Sequence, residues 1–363
     1  MAEVSRPAIE QAIQQWIEPY LGTDLLAAGA VKEIATQDRR VRIVLRLGFP
    51  AERYQEQLRV ALIDAVTAVL PEAEVTVEIG WQVTSRAVQT KLKPLANVHN
   101  IIAVASAKGG VGKSTVAANL ALALAGEGAR VGVLDADIYG PSQPRMMGVA
   151  GRRPQSPDGK HITPLENYGV QIMSIGFLIE EEAPMVWRGP MVTQALIQLL
   201  NDTQWQDLDY LVVDLPPGTG DIQLTLAQRV PVSGALVVTT PQDIATLDAR
   251  KGIRMFRKVK VPVLGVLENM STYICSQCGH EEHIFGEGGG SRLAQTEDVL
   301  LIGALPLDSA IREQADSGRP SVVAQPEGRI AELYRQAALR TAAQLSRLAA
   351  ASTSPFPRIV VED

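Results

Sequence analysis

Ala107-Lys108-Gly109-Gly110-Val111-Gly112-Lys113-Ser114-Thr115 decides how this chain is read. A glycine-rich run ending in lysine and a hydroxyl residue lets backbone N–H groups converge on phosphate oxygens. The lysine then reaches the outer phosphates, and the hydroxyl serves Mg²⁺. Lys113 and Ser114 hold those two positions, so residues 107–115 are expected to cradle a nucleotide. The flanks agree. Residues 101–106 form a short apolar run suited to a buried parallel strand, and residues 116–125 are strong helix formers. One position departs from the usual G-x-x-x-x-G-K-[ST] pattern, and one of its free positions holds an unusual residue. Ala107 replaces the first glycine, which is tolerable where the backbone keeps a negative φ. Lys108 places an extra cation before the glycines, and it is the most informative residue of the loop.

The rest of the chain bounds the answer. Its 363 residues, 46% of them hydrophobic, suffice for two domains with a sizeable core. A net charge of −6 argues against a general nucleic-acid binder. No run of about 18 apolar residues is present and the first residues lack an apolar signal core, which predicts a soluble cytoplasmic protein without membrane attachment. The two cysteines, Cys275 and Cys278, stand three positions apart. In a reducing compartment that spacing suits metal binding or redox work better than a structural disulfide.

Residues 1–83 read as a small α+β unit. A helix over 8–17 is followed by strands at 31–34 and 40–47, a helix over 54–70 and a strand at 74–79; the strict alternation of 40–47 fits a half-buried strand. Residues 84–98 form a linker with little periodicity. From residue 99 to 350 strand and helix alternate, with strand candidates at 101–106, 130–134, 170–175, 210–213, 235–239, 261–267 and 300–305. This predicts an α/β fold, a mostly parallel sheet covered by helices on both faces. A last helix over 329–348 carries Ile330, Leu333, Tyr334, Ala337, Thr341, Leu345 and Leu348 at helical spacing and is expected to dock onto the domain; residues 351–363 form a tail.

Two acidic turns follow predicted strands, at the sheet end where open α/β folds bind ligands. One is Asp135-Ala-Asp137-Ile-Tyr-Gly-Pro-Ser142, the other Asp214-Leu-Pro-Pro-Gly218-Thr-Gly220-Asp221. Asp214 is placed to hold the Mg²⁺ shell, Asp137 to orient the attacking water, and Asp135 to stand nearer the metal; Gly218 or Gly220 lets a loop approach the γ-phosphate, and Asp221 reads as a helix cap. These residues resemble the deviant-Walker ATPases, the group that includes MinD, ParA and the nitrogenase iron protein. The resemblance implies an ATP-dependent homodimer in which Lys108 reaches across to the partner's nucleotide, and it matches Asn269 to the position that recognises adenine.

The stretch from Glu268 through Cys275-Ser-Gln-Cys278-Gly-His280 and His283 to Phe285-Gly-Glu-Gly-Gly-Gly290, with the two acidic turns, Val186-Trp-Arg188-Gly-Pro190 and Thr240-Pro-Gln-Asp243, resembles the Mrp/ApbC iron–sulfur cluster carriers over residues 98–345. The N-terminal unit resembles, more weakly, the MIP18-like domain fused ahead of them. The resemblance implies a cluster bound at Cys275 and Cys278, and ATP hydrolysis acting as a slow switch for transfer from a donor to apoproteins. Two thiolates cannot complete a four-sulfur site, whereas a two-fold axis beside the motif would bring four together around a [4Fe-4S] cluster. Other readings of the same residues remain: zinc on the cysteines with His280 or His283, a redox disulfide, or a positioning switch without a cluster. His99, at the end of the low-periodicity stretch 84–100 that contains the linker, and His161, in a polar loop, read as surface residues. Arg188 faces either a dimer partner or a local cap.

Overall fold

The computed structural model describes residues 5–86, 92–178, 189–275 and 277–353. The chain divides into two units, Met1–Ala87 with Ala342–Asp363, and Val88–Thr341. Arg188 and most of the tail lie outside the described residues.

In the first unit α1 (Arg6–Gln15) starts on a proline, whose fixed φ suits the first helical turn. Then come β1 (Val31–Gln37), β2 (Arg40–Leu47), α2 (Tyr54–Val69) and β3 (Glu74–Trp81), with β2 central, antiparallel to β1 and parallel to β3. The alternation read in 40–47 is real: Val41, Ile43, Leu45 and Leu47 are buried between exposed arginines. Ile9, Ile13, Leu58 and Leu62 of the helices are completely buried as well. Glu18 is buried here too, and its carboxylate accepts from Tyr54 Oη at 2.6 Å and from the backbone N–H of Tyr20 and Leu21 at 2.9 and 2.5 Å. Burial pushes its carboxyl above the usual range against those hydrogen bonds; two donors are local and the third comes from α2, so Glu18 ties the turn after α1 to that helix.

The second unit is built on an eight-stranded sheet. In chain order its strands are β4 (Val98–Ala105), β5 (Val131–Asp135), β6 (Leu165–Asn167), β7 (Val170–Ser174), β8 (Leu208–Asp214), β9 (Gly234–Thr239), β10 (Val263–Glu268) and β13 (Leu301–Ala304), arranged β13-β10-β9-β4-β8-β5-β7-β6. Two short strands between β10 and β13, β11 (Tyr273–Ile274) and β12 (Glu281–Glu282), form a separate antiparallel hairpin. Every neighbour pair of the large sheet is parallel except β6–β7. The apolar runs of the central strands are buried on both faces, as a parallel sheet between helical layers requires. The principal crossovers are α3 (Lys113–Gly126), α5 (Gly189–Asp202), α6 (Asp221–Arg229), α7 (Asp243–Lys258) and α8 (Gly289–Thr296), with the one-turn α4 (Gln143–Met146) after β5. After β13 come α9 (Ser309–Asp316), α10 (Ser321–Ala324) and α11 (Arg329–Thr353).

α3 has no polar face: residues 116–124 are all buried, Leu120 and Leu124 completely. Truncating either leucine to alanine would cost about 2–5 kcal/mol. The loop before α3 is therefore anchored to the most deeply packed helix of the sheet.

Three expectations need correction. β4 starts at Val98, which pairs with Leu208, so His99 belongs to a strand rather than a linker and its Nδ1 lies 3.5 Å from the buried carboxylate of Asp209. Asp221 does not cap α6: Gly220 holds that position, and Asp221 is an exposed first-turn residue. α11 does not belong to one unit alone, unlike the 99–350 grouping, because from Ala342 onward it packs with the first unit, where Arg347 donates to the Leu21 carbonyl at 2.9 Å. Its buried stripe runs through Ala331, Tyr334, Ala338, Ala342, Leu345 and Ala349, while Ile330, Leu333 and Leu348 are only half-buried. Small residues permit closer packing than the leucines that drew the sequence reading. Among the described residues no helix is long and apolar enough to cross a membrane.

Candidate functional site

Residues 107–112 connect the carboxyl end of β4 to the first turn of α3. Ala107 is absent from the residues with positive φ, which is how alanine is accommodated at a glycine position. Gly110 and Gly112 do require glycine, at φ 81° and 82°. Gly112 requires it twice over, because a Cβ there would strike the amide nitrogen of Asn269. That nitrogen donates to the Val111 carbonyl at 2.9 Å, so Asn269, at the end of β10, braces the loop from beneath. Lys108 is exposed, and its side chain makes no hydrogen bond or ion pair among the described residues. Ser106 Oγ donates to the Lys108 carbonyl at 2.9 Å and fixes the backbone that carries it.

Three strand ends bring the acidic residues together. Asp135, Asp214 and Ser174 close β5, β8 and β7, and the register aligns Asp135 with both neighbours. Lys113 Nζ lies 2.5 Å from Asp214 Oδ1, 3.4 Å from Asp137 Oδ2 and 3.2 Å from Ser114 Oγ. Asp135 accepts from the backbone N–H of Gln143 and Asp137, at 3.0 and 3.1 Å, and from Ser174 Oγ at 3.0 Å. The Gln143 amide donates to both the Ser114 carbonyl and Asp214 Oδ2, each at 2.9 Å. Gln143 and Ser174 carry no signal in the motif as read. What could have found them is position: a glutamine opening the helix after the first acidic turn, and a serine ending the strand beside it.

Three buried carboxylates face one ammonium. Burial and the neighbouring Asp214 raise the carboxyl of Asp135 to about 7, and burial raises that of Asp137 while Lys113 opposes the shift. Asp137 Oδ1 and Gln143 Oε1 are buried without a hydrogen bond. Excess acceptor capacity around a phosphate loop fits a divalent cation bound with a nucleotide, and Ser114, Asp214 and Asp135 are the side chains able to hold it. Lys113 is the group able to exchange carboxylate partners for phosphate oxygens. The second acidic turn closes on the same place: the Gly218 N–H donates to the Ser106 carbonyl at 2.8 Å.

Past Asn269 the chain leads into the hairpin of β11 and β12. Cys275 N–H donates to the His280 carbonyl at 2.9 Å, and Gly279 N–H to the Cys275 carbonyl at 2.8 Å, a tight turn that presents the thiols outward. Both cysteines are free, Cys275 half-buried and Cys278 exposed. Backbone N–H groups of Cys278 and Gln277 aimed at the Cys275 sulfur, with the Cys278 side chain, hold its thiol below the usual range. The zinc reading gains nothing: His283 Nδ1 is bonded to the Ser271 carbonyl at 2.9 Å, and no three His, Cys, Asp or Glu among the described residues are grouped to hold a metal ion.

Comparison with known proteins gives the family. Residues 97–342 match the family model described as a NUBPL iron-transfer P-loop NTPase, and residues 6–79 match that of an iron-sulfur cluster assembly protein. The iron-sulfur cluster carrier protein of Haemophilus influenzae is 50% identical over 337 residues, covering 93% of this chain and 91% of that protein. The mouse iron-sulfur cluster transfer protein NUBPL is 52% identical over 265 residues, 72% of this chain and 82% of its own. Among solved structures, a nucleotide-binding protein from Archaeoglobus fulgidus in complex with ADP aligns with a TM-score of 0.56 and 38% identity over 64% of this chain and 90% of that one. Pyrococcus furiosus MinD, with a TM-score of 0.50 at 24% identity over 66% of this chain and 97% of its own, shares the fold. With the family model spanning residues 97–342 and relatives at 50% identity along nearly the whole length, this chain belongs to the NUBPL-type iron-transfer P-loop NTPases.

Proposed function

We propose that this protein is an ATP-dependent carrier that holds a [4Fe-4S] cluster between two copies of itself and passes it from a donor to apoproteins. The observation that carries the reading is the hairpin of β11 and β12: two free thiols on an exposed turn, with no further ligand grouped beside them among the described residues. Two such pairs related by a two-fold axis supply the four sulfurs a cubane takes. A cluster held by two residues per chain is partly exposed, as cargo that must leave has to be.

The nucleotide acts as the switch. Mg²⁺ bound with ATP supplies charge neutralisation at the phosphates, and the chain does the rest. The backbone of 107–112 binds the phosphates, Lys113 and Ser114 close on them, Thr115 extends the cradle into the first turn of α3, and Asp137 holds the attacking water. Lys108, exposed and without an ion-pair partner among the described residues, serves the partner's nucleotide, which couples turnover to dimerisation. Asn269 meets the adenine end while bracing Val111. The route between the two sites is short. Met270 has a left-handed φ of 57°, costly for a non-glycine residue, and Ser271 is tied to the Leu305 carbonyl through N–H and Oγ at 2.9 and 3.0 Å before the chain reaches Cys275. A shift of the loop at Val111 therefore reaches the hairpin through a strained segment rather than a slack one.

Anaerobic reconstitution with iron and sulfide, followed by metal and sulfide analysis and light scattering, tests the carrier. One cubane per two chains, lost in Cys275→Ala, is expected; undiminished binding by that variant would sink the proposal. Lys108→Ala is expected to leave nucleotide binding intact and to remove turnover that rises with protein concentration.

A further inference from the structure

Beside the nucleotide site the second unit carries a concavity that the carrier mechanism does not use. A cleft of about 800 Å³ is walled by α4, the turn after it, the segment at 176–177 and the end of α9. Three arginines line it, Arg145, Arg152 and Arg153, against one acidic residue, Asp316. Among the described residues none of the three has a carboxylate partner. Arg145 Nε donates to the Asp316 carbonyl at 3.3 Å, and Arg152 Nη1 to the Glu166 carbonyl at 3.2 Å. The Asp316 carboxylate pairs instead with Arg312 at 3.4 Å. Arg153 makes no hydrogen bond or ion pair among the described residues. In a chain of net charge −6, three uncompensated guanidiniums in one cleft form a local field opposite to the average surface.

The chemistry of the lining narrows the ligand. Guanidinium is a rigid planar fork matched to carboxylate, and two of the three are already oriented by a backbone carbonyl, so little freedom remains to be lost on binding. Met146 and Phe177 lie among them and offer apolar contact. The volume far exceeds that of an inorganic anion and stands near the upper end for small-ligand sites, which suits several side chains in series. We propose that this cleft is a docking site for an acidic segment of a partner protein, its glutamates or aspartates on Arg145, Arg152 and Arg153 and an apolar side chain between them over Met146 and Phe177. That the partner is one that supplies or receives the cluster rests on the carrier reading; the docking chemistry does not.

The wall nearest the nucleotide is Pro141 and Ser142, the end of the acidic turn that begins at Asp135, and the next residue is the Gln143 that ties Asp135 to Asp214. A docked segment therefore touches the loop that shapes the nucleotide cluster.

The test uses the full chain, free of cluster and nucleotide, and the fluorescence anisotropy of a labelled hexapeptide alternating glutamate and leucine. Binding is expected, weakening with salt, absent for the lysine–leucine counterpart, and reduced about tenfold or more by Arg152→Glu with Arg153→Glu. Arg153→Lys keeps the charge and loses the fork, and should fall between. ATP turnover of these variants without peptide, within about twofold of the parent, certifies that they fold. No binding by the parent, equal binding by the doubly reversed variant, or displacement by inorganic phosphate at the peptide's own concentration would overturn the proposal. Because the readout needs no cluster, failure here and failure of Cys275 and Cys278 to hold one are separate results.

Discussion

The phosphate loop and the cysteine hairpin are joined by one short stretch, residues 269–275, yet they are built on opposite plans. The cluster beneath the loop is paired within one chain, and only Lys108 above it is left for a partner: Lys113, Asp135, Asp214 and Gln143 are buried, and most of their polar atoms have partners. The hairpin is unfinished, two strands of two residues each with both thiols free. The contrast teaches that burial and pairing inside a single chain mark a site for a ligand that brings its own charge, whereas exposed, underserved ligands mark a site whose other half comes from elsewhere.

Separating the two sites by mutation gives the largest effect. Lys113→Ala removes the cation able to trade its carboxylate partners for phosphate oxygens, so nucleotide affinity should fall by about two orders of magnitude, roughly 3 kcal/mol, while reconstituted cluster content stays at the parent level. Cys275→Ala should do the reverse. Isothermal titration with ATP and iron analysis on both variants check this. A Cys275→Ala protein that lost most of its ATP affinity would erase the distinction between a complete and an incomplete site.

Asp137→Asn asks whether the finished site holds a catalytic group as well as a structural one. With Oδ1 buried and unbonded, Asp137 has a face to give to water, and the variant should lose about two to three orders of magnitude in kcat with affinity nearly kept. Equal losses in affinity would make it chiefly a counter-ion for Lys113.

The same contrast explains what could be read in advance. The sheet was legible because its central strands are buried on both faces and so appear as uninterrupted apolar runs, and residues 107–115 were legible because phosphate binding imposes residue types at fixed spacing. β6 was not, since a three-residue antiparallel edge strand leaves no periodicity, nor were β11 and β12, which turn geometry shapes rather than propensity. His99 was misplaced because a polar residue opening a strand looks like linker until its neighbour Asp209 is known. Gln143 and Ser174 escaped because their partners lie on other strands, and sequence spacing does not record cross-sheet register.

Asn269→Ala measures how firmly the two sites are linked. It strips the Val111 carbonyl of its donor, a loss of about 1–3 kcal/mol if nothing replaces it, so ATP affinity should weaken roughly tenfold. The informative readout is the difference that nucleotide makes to the rate at which a chelator strips the cluster. That difference should shrink in the variant; if it is unchanged, the loop and the hairpin do not communicate through residue 269.

The smallest effect tests the hairpin by itself. Cys275 is held below the usual thiol range first by the backbone N–H of Cys278, then by that of Gln277, and only after these by the Cys278 side chain. The depression stabilises the thiolate, so on raising the pH of the reduced, metal-free protein the rate of iodoacetamide modification at Cys275 should climb earlier than at an unstructured thiol. Because backbone donors dominate, Cys278→Ala should return only a minor part of that shift, whereas opening the turn with Gly279→Pro, which removes the N–H bonded to the Cys275 carbonyl and cannot adopt the φ of 70°, should return most of it. Mass spectrometry of the alkylated peptide across pH reads both variants. Should Cys278→Ala abolish the shift, the thiols would be tuning each other and the turn would be a passive tether; should it persist, the backbone has shaped the thiolate before any metal or second chain arrives.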